Sequence, residues 1–140
     1  MNGQGEQTAS SGSNGKISSY RDLIAWQLGM TLAKDVYKKT TGFPREEIYG
    51  LLSQIRRAGS SIPANIAEGW GRGSTGDYLR FLRTARGSLF ELETHVLLAR
   101  DLTFLPAATA DELTTNMTEC ARVLNALIMS VEKWTRPQEK

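Results

Sequence analysis

The chain has 140 residues, a formal net charge of +2 and 40% hydrophobic residues, which suits one domain with a modest core. A single cysteine, Cys120, and a single histidine, His95, exclude a disulfide framework, a thiolate-rich zinc site and any multi-histidine metal or catalytic centre within one chain. No stretch approaches the ~18 to 20 apolar residues of a membrane span, and the first residues lack the apolar run of a secretory signal. A cytoplasmic protein without membrane, metal or cofactor is expected.

Residues 1–19 hold only Met1, Ala9 and Ile17 as clearly apolar side chains among Gly, Ser, Asn, Gln and Thr, too few to offset the entropy of ordering. They predict a disordered extension before a folded region of residues 20–134 and a tail of residues 135–140. The first helix is expected from about Tyr20 to Thr40. Leu23, Trp26, Met30, Ala33 and Tyr37 recur every three or four residues as its buried stripe, and Ser19 with Asp22 forms the capping box. Phe43 and Pro44 open a second helix with proline in the first turn, and its apolar stripe is Ile48, Leu52, Ile55, Gly59, Ile62 and Ile66.

Ser74 and Asp77 introduce a third helix, whose buried face is Tyr78, Leu82, Ala85, Leu89, Leu92, Val96 and Ala99. A fourth follows Leu105 and Pro106, with a Thr109 to Glu112 capping box and a heptad of Leu113, Met117, Cys120, Leu124, Leu127, Val131 and Trp134. No segment reads as a strand. Long helices joined by short loops make sequential neighbours antiparallel, so the expected fold is all-α, an up-down-up-down antiparallel four-helix bundle.

The second helix carries more than one ordered face. Gln54, Arg57, Ser61, Asn65 and Glu68 form a polar line about 140° from the apolar stripe. Ser53, Ser60, Ala64 and Ala67 lie on one flank, small enough to admit another helix backbone. A monomeric bundle buries one face of each helix, so a second copy of the chain is the economical partner for the rest. Pro63 removes the hydrogen bond to the Gly59 carbonyl and predicts a kink there. Gly69, Gly71 and Gly73 end the helix and form a tight turn.

The run "FPREEIYGLLSQIRRAGSSIPANIAEGWGRGSTGDYLRFLRTARGSLFELETHVLLARDL", residues 43–102, resembles the 23S ribosomal RNA intervening-sequence protein family. "QIRRA", "SIPANIAEG", "FLRTARGSLFELET" and "LLARDL" carry the likeness, which extends over about residues 20–134. The resemblance implies an antiparallel four-helix bundle assembled as a homopentameric ring. It also implies a setting in ribosomal RNA insertions or, in a related branch, as an accessory protein of diversity-generating retroelements. There a basic pentamer binds a reverse transcriptase and nucleic acid.

The glycines at 69, 71 and 73 do not make a phosphate loop, since the terminal Gly-Lys-Ser/Thr and a preceding strand are absent. Between Arg45 and Arg100 every basic residue is arginine, whose planar fork suits phosphate or carboxylate. Arg80, Arg83 and Arg86, with Arg72 before them, are the candidate nucleic-acid contacts, and a solvated or subunit-paired face is the alternative. The polar line on the second helix reads as a structural or intersubunit network, with Arg72, Arg86, Glu91 or Glu93 as partners; a ligand or nucleic-acid contact is the alternative. Cys120, Trp26 and Trp134 read as core or seam, and Trp70 as a residue free to stack on a base or a neighbouring subunit. The expected function is a non-enzymatic nucleic-acid-binding accessory or scaffold. A protein-interaction adaptor without nucleic-acid affinity is the competing class.

Overall fold

The computed structural model describes residues 16–135. Most of the predicted N-terminal extension and nearly all of the predicted tail lie outside that range. Within it, four helices form a four-helix bundle: α1 (Ile24–Lys39), α2 (Leu51–Trp70), α3 (Thr75–Asp101) and α4 (Ala107–Thr135). No strand occurs among the described residues.

The apolar periodicity places one core between the helices. Ile55, Ile62 and Ile66 of α2 meet Leu82, Leu89, Leu92 and Val96 of α3 and Leu113, Leu124 and Val131 of α4, all buried. Burial of each such side chain contributes roughly 1.5–3 kcal/mol. Contacts between neighbours pair residues in opposite chain order. Gly69 lies against Phe81 while Ser61 meets Ser88; Arg83 meets Glu132 while Arg86 meets Asn125. On the closing side, Lys39 reaches Glu112 and Asp35 accepts from Asn116.

α1 departs from the predicted stripe. Its buried residues are Ala25, Gly29, Leu32, Ala33 and Val36. Trp26 and Met30 are half-buried, and Tyr37 is 47% exposed. The cause is close approach to α2. A Cβ on Gly29 would stand 3.4 Å from Ile62 and from the Pro63 ring, and one on Gly59 would stand 3.7 Å from Val36. The small face of α1 turns inward so that the backbones can meet, and the large side chains turn to the flank.

The boundaries are also corrected. Pro44 precedes a short 3-10 turn, Arg45–Glu47, and α2 begins only at Leu51, which leaves Ile48 46% exposed. α2 runs through Pro63 as one continuous helix. Gly69 lies inside that helix, where an added Cβ would come within 2.7 Å of Phe81 Cβ. Its role is close packing rather than termination. Gly71 is the C-cap residue, and Gly73 takes φ +91° in the turn, a conformation natural to glycine.

The Ser19–Asp22 box forms, but on a separate 3-10 turn, Tyr20–Asp22, and not on α1: extended backbone at Leu23 divides the predicted first helix, and α1 starts at Ile24 with no side-chain cap. Ser19 Oγ accepts from the Arg21 N–H, and the Asp22 carboxylate accepts from the Ser18 and Ser19 N–H groups at 2.9 and 3.2 Å. These bonds hold the Asp22 carboxyl below its ordinary range. Residues 16–19 thus adjoin the bundle, with Ile17 packed against the core. Ser74 caps α3 by accepting from the Asp77 N–H at 3.1 Å. The Thr109 box does not form, because α4 already begins at Ala107 and Glu112 is committed to Lys39 at 2.6 Å. Late in α4 the core moves from the Leu127 position to Ile128, 2% exposed, and Trp134 is 53% exposed. A 3.6-residue helix drifts off a strict heptad in this way.

Candidate nucleic-acid interface

The α2–α3 corner gathers two of the four candidate arginines. α2 ends at Trp70, so Arg72 projects from the turn, while Arg80 stands in the second turn of α3. Both guanidiniums stack on the Phe81 ring, with their carbons 4.9 and 4.6 Å from its centroid. Cation–π contact of this kind holds a charged fork in place without removing its donors. Their acidic partners are exposed. Arg72 approaches Glu68 at 3.9 Å and Arg80 meets Asp77 at 3.2 Å, and solvated pairs of this kind contribute only ~0–1 kcal/mol. Trp70 lies half-buried beside this corner, its ring edge-on to Tyr78 with centroids 6.1 Å apart.

Arg83 and Arg86 end on the seam with α4. Arg83 donates to Glu132 at 2.8 Å and Arg86 to Asn125 Oδ1 at 3.1 Å. The candidate set divides into a corner pair, Arg72 and Arg80, and a seam pair fixed to α4.

The polar line of α2 is mostly local. Arg57 donates to Gln54. The Asn65 amide donates to the Ser61 carbonyl and hydroxyl at 2.8 and 2.9 Å, and Ser61 Oγ shares a 2.9 Å bond with Ser88 Oγ on α3. Glu68 reaches Arg72, and Glu91 faces His95 at 3.4 Å. Glu93 is exposed and takes part in no ion pair among the described residues.

A second feature lies between α1 and α2. The displaced side chains Trp26, Met30 and Tyr37 form one wall of an apolar groove of about 520 Å³, and Ser60, Pro63, Ala64 and Ala67 form the other. The small residues on the flank of α2 thus border open space rather than core.

No group of three or more His, Cys, Asp or Glu among the described residues is placed to hold a metal ion. Cys120 is buried in the core, where desolvation pushes its thiol up to about 11. No described helix is long and apolar enough to cross a membrane.

Residues 21–126 match the family described as 23S rRNA-intervening sequence protein, which covers most of the chain and the whole α2–α3 corner. The chain belongs to that family. A solved structure from Bacteroides thetaiotaomicron, described as a protein with unknown function from the S23 ribosomal protein family, is similar in fold. Its TM-score is 0.69 at 21% identity, covering 76% of this chain and 96% of that one. No curated protein matches.

Three parts of this family member's surface are not visible in its residue pattern. Phe81 bears both corner arginines, yet reads in sequence as one more apolar residue. Glu132 and Asn125 lie about 40 to 50 positions from their arginine partners, beyond the reach of helical spacing. Arg56 ties α1 to α2: its Nε donates to the buried Thr40 Oγ1 at 3.1 Å, and its guanidinium covers the Tyr37 ring at 4.8 Å. Arg56 and Tyr37 are likewise 19 positions apart, on either side of the α1–α2 connection.

Proposed function

We propose that this chain is a non-enzymatic accessory or scaffold protein that assembles with copies of itself and binds RNA or single-stranded DNA through the α2–α3 corner. The opposite chain order of the interhelical contacts supports an antiparallel up-down-up-down bundle. A cyclic assembly, with five copies as the family resemblance implies, repeats the corner around a ring. The observation that carries the reading is the stacking of Arg72 and Arg80 on Phe81. Two guanidiniums are presented from one ring, with only weak, exposed carboxylate partners to displace. A phosphodiester backbone is the polyanion that such forks engage independently of sequence, and Trp70 beside them offers an aromatic edge for a base. The family's connection with ribosomal RNA insertions makes RNA the first probe, and a retroelement reverse transcriptase remains the protein partner implied by the related branch.

The test is the salt dependence of binding to fluorescently labelled single-stranded RNA and DNA, read by anisotropy. The Arg72→Gln, Arg80→Gln double variant is expected to lower the slope of log affinity against log salt by about 1.4, at ~0.7 per phosphate contact on a single strand. Unchanged affinity and slope in the double variant contradict the corner. Absence of wild-type binding at low salt leaves the adaptor reading, which is favoured by the fact that all four candidate arginines have partners within the chain.

A further inference from the structure

We infer that the α1–α2 groove is the socket for α3 of a second copy of this chain, seated through the ridge around Phe90. The inference rests on the self-assembling reading above and names its contact. The groove runs along two adjacent helices and is lined by Trp26, Met30 and Tyr37 facing Ala64 and Ala67, a shape that a third helix fills by packing a ridge between them. Its rim is basic. Lys34 and Lys38 border it and neither takes part in an ion pair among the described residues. Two such grooves facing each other would bring like charges together, so a two-fold contact of groove on groove is disfavoured. The occupant must present an apolar ridge with an acidic flank.

α3 presents one. Phe90 is 58% exposed, Leu97 lies two turns on along the same line, and the exposed Glu93 between them takes part in no ion pair among the described residues. The cations on this side, Arg83 and Arg86, are held on α4 by Glu132 and Asn125, and Glu91 is held by His95. Gly87 adds an independent sign. It lies in the middle of α3, where glycine is unfavourable, and a Cβ there would meet nothing within 4 Å. No packing among the described residues accounts for it, whereas close approach by a neighbouring backbone does.

The other segments fit less well. Residues 1–15 contribute only Met1 and Ala9 as apolar side chains, and residues 136–140 none beyond Pro137. Groove and ridge are different surfaces of one chain, so the contact is heterologous and propagates from copy to copy until it closes.

The experiment uses the full chain and two variants at exposed positions, Ala64→Arg in the groove and Phe90→Glu on the ridge, with helical content and melting followed to confirm folding. Each alone is expected to run at the single-chain mass of 15.5 kDa. Mixed, they are expected to form a 1:1 complex and nothing larger, because one intact groove and one intact ridge remain. Adding Glu93→Lys to a Lys34→Glu, Lys38→Glu chain should recover assembly lost in either set alone. A wild-type chain that is monomeric overturns self-assembly itself. An assembled wild type whose two variants stay assembled, or whose mixture forms no complex, overturns the groove and ridge while leaving assembly in place.

Discussion

Gly69 shows how one missing methyl group sets the corner. Its hydrogen lets α3 come close enough that a Cβ would stand 2.7 Å from Phe81 Cβ, and Phe81 in turn carries Arg72 and Arg80. Gly69→Ala is expected to destabilise the protein by about 1–3 kcal/mol through overpacking and to weaken RNA binding by displacing Phe81. Thermal melts and anisotropy check the two effects separately. Thr103 stands at φ 63° in the α3–α4 turn, a left-handed conformation costly for a β-branched residue. Thr103→Gly is expected to raise the melting temperature, by up to about 1 kcal/mol in stability. The Cys120 thiol, raised to about 11 by burial, is expected to resist a thiol reagent at neutral pH until the bundle unfolds.

Among the elements, the helices and most of their inward faces were legible because apolar spacing and caps act locally. Ser74 caps α3 where its neighbours predict, whereas the Ser19–Asp22 box closes a short 3-10 turn that extended backbone at Leu23 separates from α1. The α1 stripe was misplaced because size suggests burial, whereas Gly29 facing Pro63 made small residues the better interior. The extra faces of α2 were readable, but not the shift of Trp26, Met30 and Tyr37 that turns its flank into a groove. In α4, Ile128→Ala is expected to cost roughly 2–5 kcal/mol and Leu127→Ala clearly less, which chemical unfolding of the two variants would measure.

The N-terminal cap carries a pH dependence of definite sign. The Asp22 carboxyl is lowered from an ordinary 3.8 by the Ser18 and Ser19 N–H bonds. The contribution of this carboxylate is full above that ordinary value and is lost as pH falls through the lower folded value. Hydrogen exchange at the Ser18 and Ser19 amides is expected to accelerate relative to the core below about pH 4, and Asp22→Asn should remove the dependence.

For the whole molecule, the local pattern was sufficient for a bundle, while the corner and the groove required the helices to be placed together. Phe81 beneath two arginines and Glu132 on Arg83 are consequences of packing between segments distant in sequence, and no spacing rule reaches them. The two surfaces belong to one proposal: copies assemble through apolar and small-residue faces, and the assembly presents arginine corners to a polyanion. The most direct test is light scattering of the full chain with and without short single-stranded RNA, at low and at moderate salt. The expected result is an assembly several times 15.5 kDa that gains mass with RNA at low salt and loses that gain at moderate salt. A single-chain mass, or an assembly whose mass RNA leaves unchanged at low salt, would contradict it.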